Sequence, residues 1–256
     1  GDGVNLQNLS YDSDVVGHEL GHHVVFQSIT STSGESLLLH EGLSDFFTNA
    51  RSNDSCLGEA VCPVGGRVTS CVANQHKCLR SASTALKYND ANYTANSGDG
   101  HYRGQLISGF LWDLRSQNLI PADTLTRYVL QAITYLPEKA GIKNFIAALF
   151  YVDSLNAQTY LSSLTSTSLN RKIDPESLGI DLANLKSEID IESSGSQSSG
   201  GGGEGESSKR KGPFGCTVSS SISESKQPVS ILWCVALILP FVLSVVRSKN
   251  RTNGRS

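Results

Sequence analysis

The stretch Asp14-Val15-Val16-Gly17-His18-Glu19-Leu20-Gly21-His22-His23 constrains this chain more than any other. Read as a helix, it places His18 and His22 one turn apart on the same face. Two neutral imidazoles so arranged supply two of the three protein ligands of a catalytic Zn2+. Glu19, one residue beyond the first histidine, reaches the open coordination position where water binds. Val15, Val16, Leu20, Val24 and Val25 are the apolar positions expected of a buried helix. Asp14 stands at its start, where a carboxylate suits the positive helix end.

Two histidines need a third ligand. Glu41 lies in Leu39-His40-Glu41-Gly42-Leu43-Ser44-Asp45-Phe46-Phe47, with eighteen residues between it and His22. A tight turn and an antiparallel return bring such a residue beside the first helix. Asp45, one turn after Glu41, can accept the outer N–H of a ligating histidine, which fixes its tautomer. No further histidine stands at the metzincin spacing after His22, which favours a glutamate as third ligand. His23 and His40 adjoin these residues and read as surface or supporting histidines.

The apolar periodicity predicts a mainly α fold. Helices are expected over 14–29, from Glu35 to about Ala50, from Arg103 to about Gln117, from Pro121, from Gly141, through Leu161 and Leu164, and near Leu182–Ile189. Residues 51–101 are rich in Gly, Ser, Asn and Cys and read as a long loop region. Cys56, Cys62, Cys71 and Cys78 fall in it without a C-x-x-C pair, so disulfides fit better than a structural zinc. Four cysteines allow three pairings. Disulfides imply an oxidising, extracytoplasmic compartment.

After residue 192 the character changes. Residues 193–228 read as a flexible Gly/Ser-rich linker. Val229–Val246 carries no charge for eighteen residues and spans roughly 27 Å as a helix, enough for a bilayer core. Basic residues in 247–256 favour a cytoplasmic tail, with the catalytic unit of residues 1–192 outside. The net charge of −3 argues against a nucleic-acid partner.

Together, the His18-Glu19-x-x-His22 and Glu41-x-x-x-Asp45 segments resemble the gluzincin metallopeptidases, especially the thermolysin-like and fungalysin-like families. The resemblance covers residues 14–50 strongly and 99–115 more loosely. It implies a helical C-terminal lobe beneath an N-terminal β-rich lobe. With Gly1 as first residue and no signal-peptide pattern, the sequence reads as a fragment or processed product in which that β-rich lobe is largely absent.

Carried over, His18, His22 and Glu41 bind zinc, Glu19 is the general base, and Asp45 orients a ligand. His101 stabilises the oxyanion, Asp99 orients His101, and Arg80 holds a substrate carbonyl. Asp14 matches a calcium-ligand position, so Ca2+ is a second candidate ion. The family asparagine before the third ligand is replaced by His40, and the oxyanion tyrosine has no counterpart near Ser31 or Thr32. Phe214-Gly215-Cys216 ahead of the hydrophobic span also resembles a bacterial C-terminal sorting signal, which would add a processing enzyme as partner. The expected activity is zinc endopeptidase. The alternatives are a zinc aminopeptidase with the same ligand spacing and an inactive, surface-anchored metal-binding protein.

Overall fold

The computed structural model describes residues 6–62, 71 and 78–194. Most of them are helical. Helices α1 (Ser13–Val25) and α2 (Gly34–Ser52) form an antiparallel pair, followed by a two-stranded ribbon of β1 (Cys56–Leu57) and β2 (Arg80–Ser81). Then come α3 (Ala91–Ala95), α4 (Gly100–Ser116), α5 (Ala122–Ile133), α6 (Ile142–Leu155), α7 (Leu161–Asn170) and α8 (Leu185–Ser194). Single 3-10 turns lie at Leu9–Tyr11 and Leu182–Asn184. The expected linker 193–228 overlaps the end of α8 at its first two residues, because that helix runs to Ser194; residues 195–228, the span 229–246 and the tail 247–256 lie outside the described residues. Among the described residues no helix is long and apolar enough to cross a membrane.

The central element is α2, which α1 covers on one side and α4 on the other. Leu38, Leu39, Leu43 and Phe46 pack it into a core shared with Leu106, Ile107, Phe110 and Leu111 of α4 and Phe145, Ile146, Leu149 and Phe150 of α6. Side chains are absent where the axes approach most closely. A Cβ on Gly42 would lie 2.5 Å from the carbonyl oxygen of Gly104, and one on Gly104 would lie 2.8 Å from Cβ of Glu41. A Cβ on Gly21 would lie 2.7 Å from Cα of Ser44. These contacts seat α1 and α4 against the one turn of α2 that carries Glu41, Ser44 and Asp45.

Several boundaries differ from expectation for identifiable reasons. The cap of α1 is Asp12, whose Oδ1 accepts the amides of Asp14 and Val15, so the helix opens at Ser13. Asp14 lies in its first turn. The helix ends at Val25 and continues only as turns to Ser28. Its apolar residues do not all face inward: Val15 and Val25 are buried, whereas Val16 is 44% and Leu20 61% exposed. Helix α4 opens at Gly100 rather than near Arg103, because the Asp99 carboxylate accepts the Tyr102 amide as its cap.

Two disulfides fall in the region from 51 to 101. Cys56 pairs with Cys78 and Cys62 with Cys71. The first bridge adjoins the ribbon, in which Cys56 faces Ser81 and Leu57 faces Arg80. It adjoins the strand that brings the distant Arg80 to Asp45 of α2. Both disulfides fit an oxidising compartment.

Candidate metal centre

His18 and His22 project from α1 toward Glu41 on α2. The two Nε2 atoms are 3.0 Å apart, Glu41 Oε2 is 3.2 Å from His18 Nε2, and Glu41 Oε1 is 3.7 Å from His22 Nε2. A tetrahedral zinc with bonds of about 2.0–2.1 Å separates its ligand atoms by roughly 3.3 Å, so these spacings suit a single ion. The donor set also fits: two imidazoles and a carboxylate, with Glu41 Oε2 buried and in no well-formed hydrogen bond. Among the described residues, His18, His22 and Glu41 are the group that could hold a metal ion.

Each ring is also held from behind. His18 Nδ1 lies 2.7 Å from Asp45 Oδ1. His22 Nδ1 lies 3.2 Å from the hydroxyl of Ser44, a fully buried residue that sequence reasoning passed over. The only signal available for it was its place one residue before Asp45, on the face of α2 turned to α1. His40 does not take part in the same way: its Nε2–H donates to the Ile29 carbonyl at 2.9 Å. His23 is exposed.

Arg80 enters the site from β2. Its Nε and Nη2 form paired bonds of 2.9 and 2.8 Å to the two oxygens of Asp45, while Nη2 is 3.9 Å from Glu41 Oε2. His101, in the first turn of α4, places Nε2 3.3 Å from Glu41 Oε2 and keeps its side chain 60% exposed. Asp99 Oδ1 is 3.7 Å from His101 Nδ1, so capping the helix is its closer contact. Glu19 is exposed, one residue round α1 from His18. Asp14 is buried and has Arg51 as its counter-ion, with Nη2 3.4 Å from Oδ1 and 2.6 Å from the Ser13 carbonyl.

The electrostatics separate the two histidines. Burial works against a charge on His18, but the adjoining carboxylates of Asp45 and Glu41 outweigh it and raise its pKa to about 9. His22 is pushed down to about 4, first by burial and then by the charge on His18. Burial pushes Asp45 the other way from Arg80 and His18, which together hold it below the ordinary carboxylate range. Without metal, the centre is therefore a buried network in which His18 carries a proton.

That proton has a measurable consequence. A group with a folded pKa near 9 and an unfolded value of 6.5 stabilises the fold fully below about pH 6.5, and this contribution is lost as pH rises through 9. At about 1.4 kcal/mol per unit, the change is on the order of 3 kcal/mol. Urea unfolding of the chelated chain is expected to show falling stability from pH 6.5 to 9. A flat or rising profile over that window would contradict the assigned ion pairs.

No protein-family model matches the chain. Part of the sequence is similar to bacillolysin of Bacillus cereus. The identity is 27% over 203 aligned positions, covering 66% of this chain and 34% of bacillolysin. The chain thus spans about a third of that relative's length, and the likeness to bacillolysin is a distant one.

Proposed function

We propose that this chain carries the catalytic helices of a thermolysin-like zinc endopeptidase working on extracellular proteins. The observation that carries the reading is the convergence of His18 Nε2, His22 Nε2 and the buried Glu41 carboxylate, with a second carboxylate next to His18 in sequence. The gluzincin motifs and the distant similarity to bacillolysin both support it.

In this reading His18, His22 and Glu41 hold the ion. Bound there, zinc supplies a Lewis acid and a water of lowered pKa. Glu19 accepts the proton of the attacking water and returns it to the leaving nitrogen. Its exposed position leaves it free to meet both water and substrate. His101 donates to the developing oxyanion, a role in which one donor is typically worth roughly 3–4 kcal/mol. Arg80 spends Nε and Nη2 on Asp45, which leaves Nη1 for a substrate carbonyl. Asp45 and the His101 segment favour an endopeptidase over an aminopeptidase.

The test uses the full chain. One zinc per chain is expected, together with cleavage of an unfolded protein that stops with chelator and returns with zinc. Cleavage indifferent to chelator would refute the metal mechanism. Zinc uptake with no cleavage under any condition would replace it with the inactive metal-binding reading.

A further inference from the structure

The two imidazoles of the metal centre are supported by unlike groups from neighbouring positions of α2. Asp45 holds Nδ1 of His18, and Ser44 meets Nδ1 of His22 at 3.2 Å. Among the described residues, the Ser44 hydroxyl has His22 Nδ1 as its hydrogen-bond partner. Ser44 has no access to solvent. Its approach to α1 depends on the missing side chain of Gly21, since a Cβ there would sit 2.9 Å from Cβ of Ser44. His40, one turn earlier on α2, is turned away: its ring centroid is 5.8 Å from that of His22, and its Nε2–H is committed to the Ile29 carbonyl.

From this geometry we propose that Ser44 is the positioning residue of His22, setting the tautomer that presents Nε2 to the metal. The inference rests on the zinc-centre reading above. A neutral imidazole that gives Nε2 to a metal carries its proton on Nδ1, and that N–H needs an acceptor when it is removed from water. The Ser44 oxygen is that acceptor. Its hydroxyl is neutral, so it fixes the ring without adding a third buried carboxylate to a site that already contains Glu41 and Asp45. A helix that presents Glu41, Ser44 and Asp45 within about one turn thus provides a ligand and a support for each histidine.

The experiment compares the full-length wild type with Ser44→Ala and Ser36→Ala. Ser36 is a second buried serine of α2, bonded to the Ala140 carbonyl away from the centre. Zinc affinity is read by competition with a chromophoric chelator, and the His22 ring by nitrogen-15 resonances of the zinc-loaded chain. Ser44→Ala is expected to weaken zinc binding about 10–100-fold and to expose the His22 Nδ1 proton to rapid exchange. Ser36→Ala is expected to leave both unchanged. Equal affinities for wild type and Ser44→Ala would overturn the proposal, as would an equal loss in Ser36→Ala. Should Ser44→Ala fail to fold, the wild-type spectrum still decides, because a His22 proton on Nε2 would overturn it. A wild type that takes up no zinc sinks the underlying metal-centre reading together with this one.

Discussion

Glu19→Gln is expected to lower kcat/KM by about 10²–10⁴-fold while zinc content stays at the wild-type value. The amide keeps the size and much of the hydrogen bonding of the carboxylate but cannot accept the water proton. The two effects separate because of where the side chain lies. His18, His22 and Glu41 converge without help from Glu19, and Glu19 is exposed. Exposed substitutions away from caps and ion networks usually stay within about 0.5 kcal/mol of the parent, so unfolding should be unaltered. Steady-state cleavage, zinc analysis and a denaturant titration on one preparation give all three readouts. Wild-type turnover by Glu19→Gln would remove Glu19 from the mechanism. Loss of zinc together with activity would instead make Glu19 a structural part of the centre.

The residues that converge were the ones with the shortest-range signals. His18 and His22 follow from helical periodicity, and Glu41 and Asp45 follow from a second apolar-periodic segment after one break at Ser31–Gly34. What escaped depends on neighbours distant in sequence. Periodicity shows that Val16 and Leu20 are apolar, but not that α2 covers only the opposite side of α1. Arg80 lies in a stretch without periodicity. Its place is set by the Cys56–Cys78 bridge and by pairing of Leu57 with Arg80, neither of which spacing alone can specify. The start of α4 was readable in principle, since Asp99 is a strong capping residue, and the helix places His101 in its first turn. Ser44 carries no chemical mark of its own. Only the close approach at Gly21 gives its hydroxyl a histidine to meet.

Asp45→Ala is expected to destabilise the chelated chain by about 3–5 kcal/mol and, separately, to weaken zinc binding about 10–100-fold. The first effect arises from the groups left behind. Asp45 is almost wholly buried and neutralises Arg80, whose side chain is only 15% exposed, through two hydrogen bonds. Removing the carboxylate leaves Glu41, at 3.9 and 3.2 Å, to neutralise both that guanidinium and the protonated His18 beside it, in a site with little water. The second effect arises from the 2.7 Å contact to His18 Nδ1, which orients the ring toward the metal.

A second substitution separates the two. Arg80→Met in the Asp45→Ala background removes the surplus charge and keeps most of the side-chain volume, so much of the lost stability should return. Zinc affinity should not, because nothing has been restored at His18 Nδ1. Urea titrations in chelator and zinc competition on the four members of the cycle measure these quantities independently. An Asp45→Ala cost under about 1 kcal/mol would mean that water already screens the Arg80 pair, as at exposed ion pairs. Recovery of zinc affinity in the double variant would mean that Arg80, rather than loss of the His18 support, had weakened the centre.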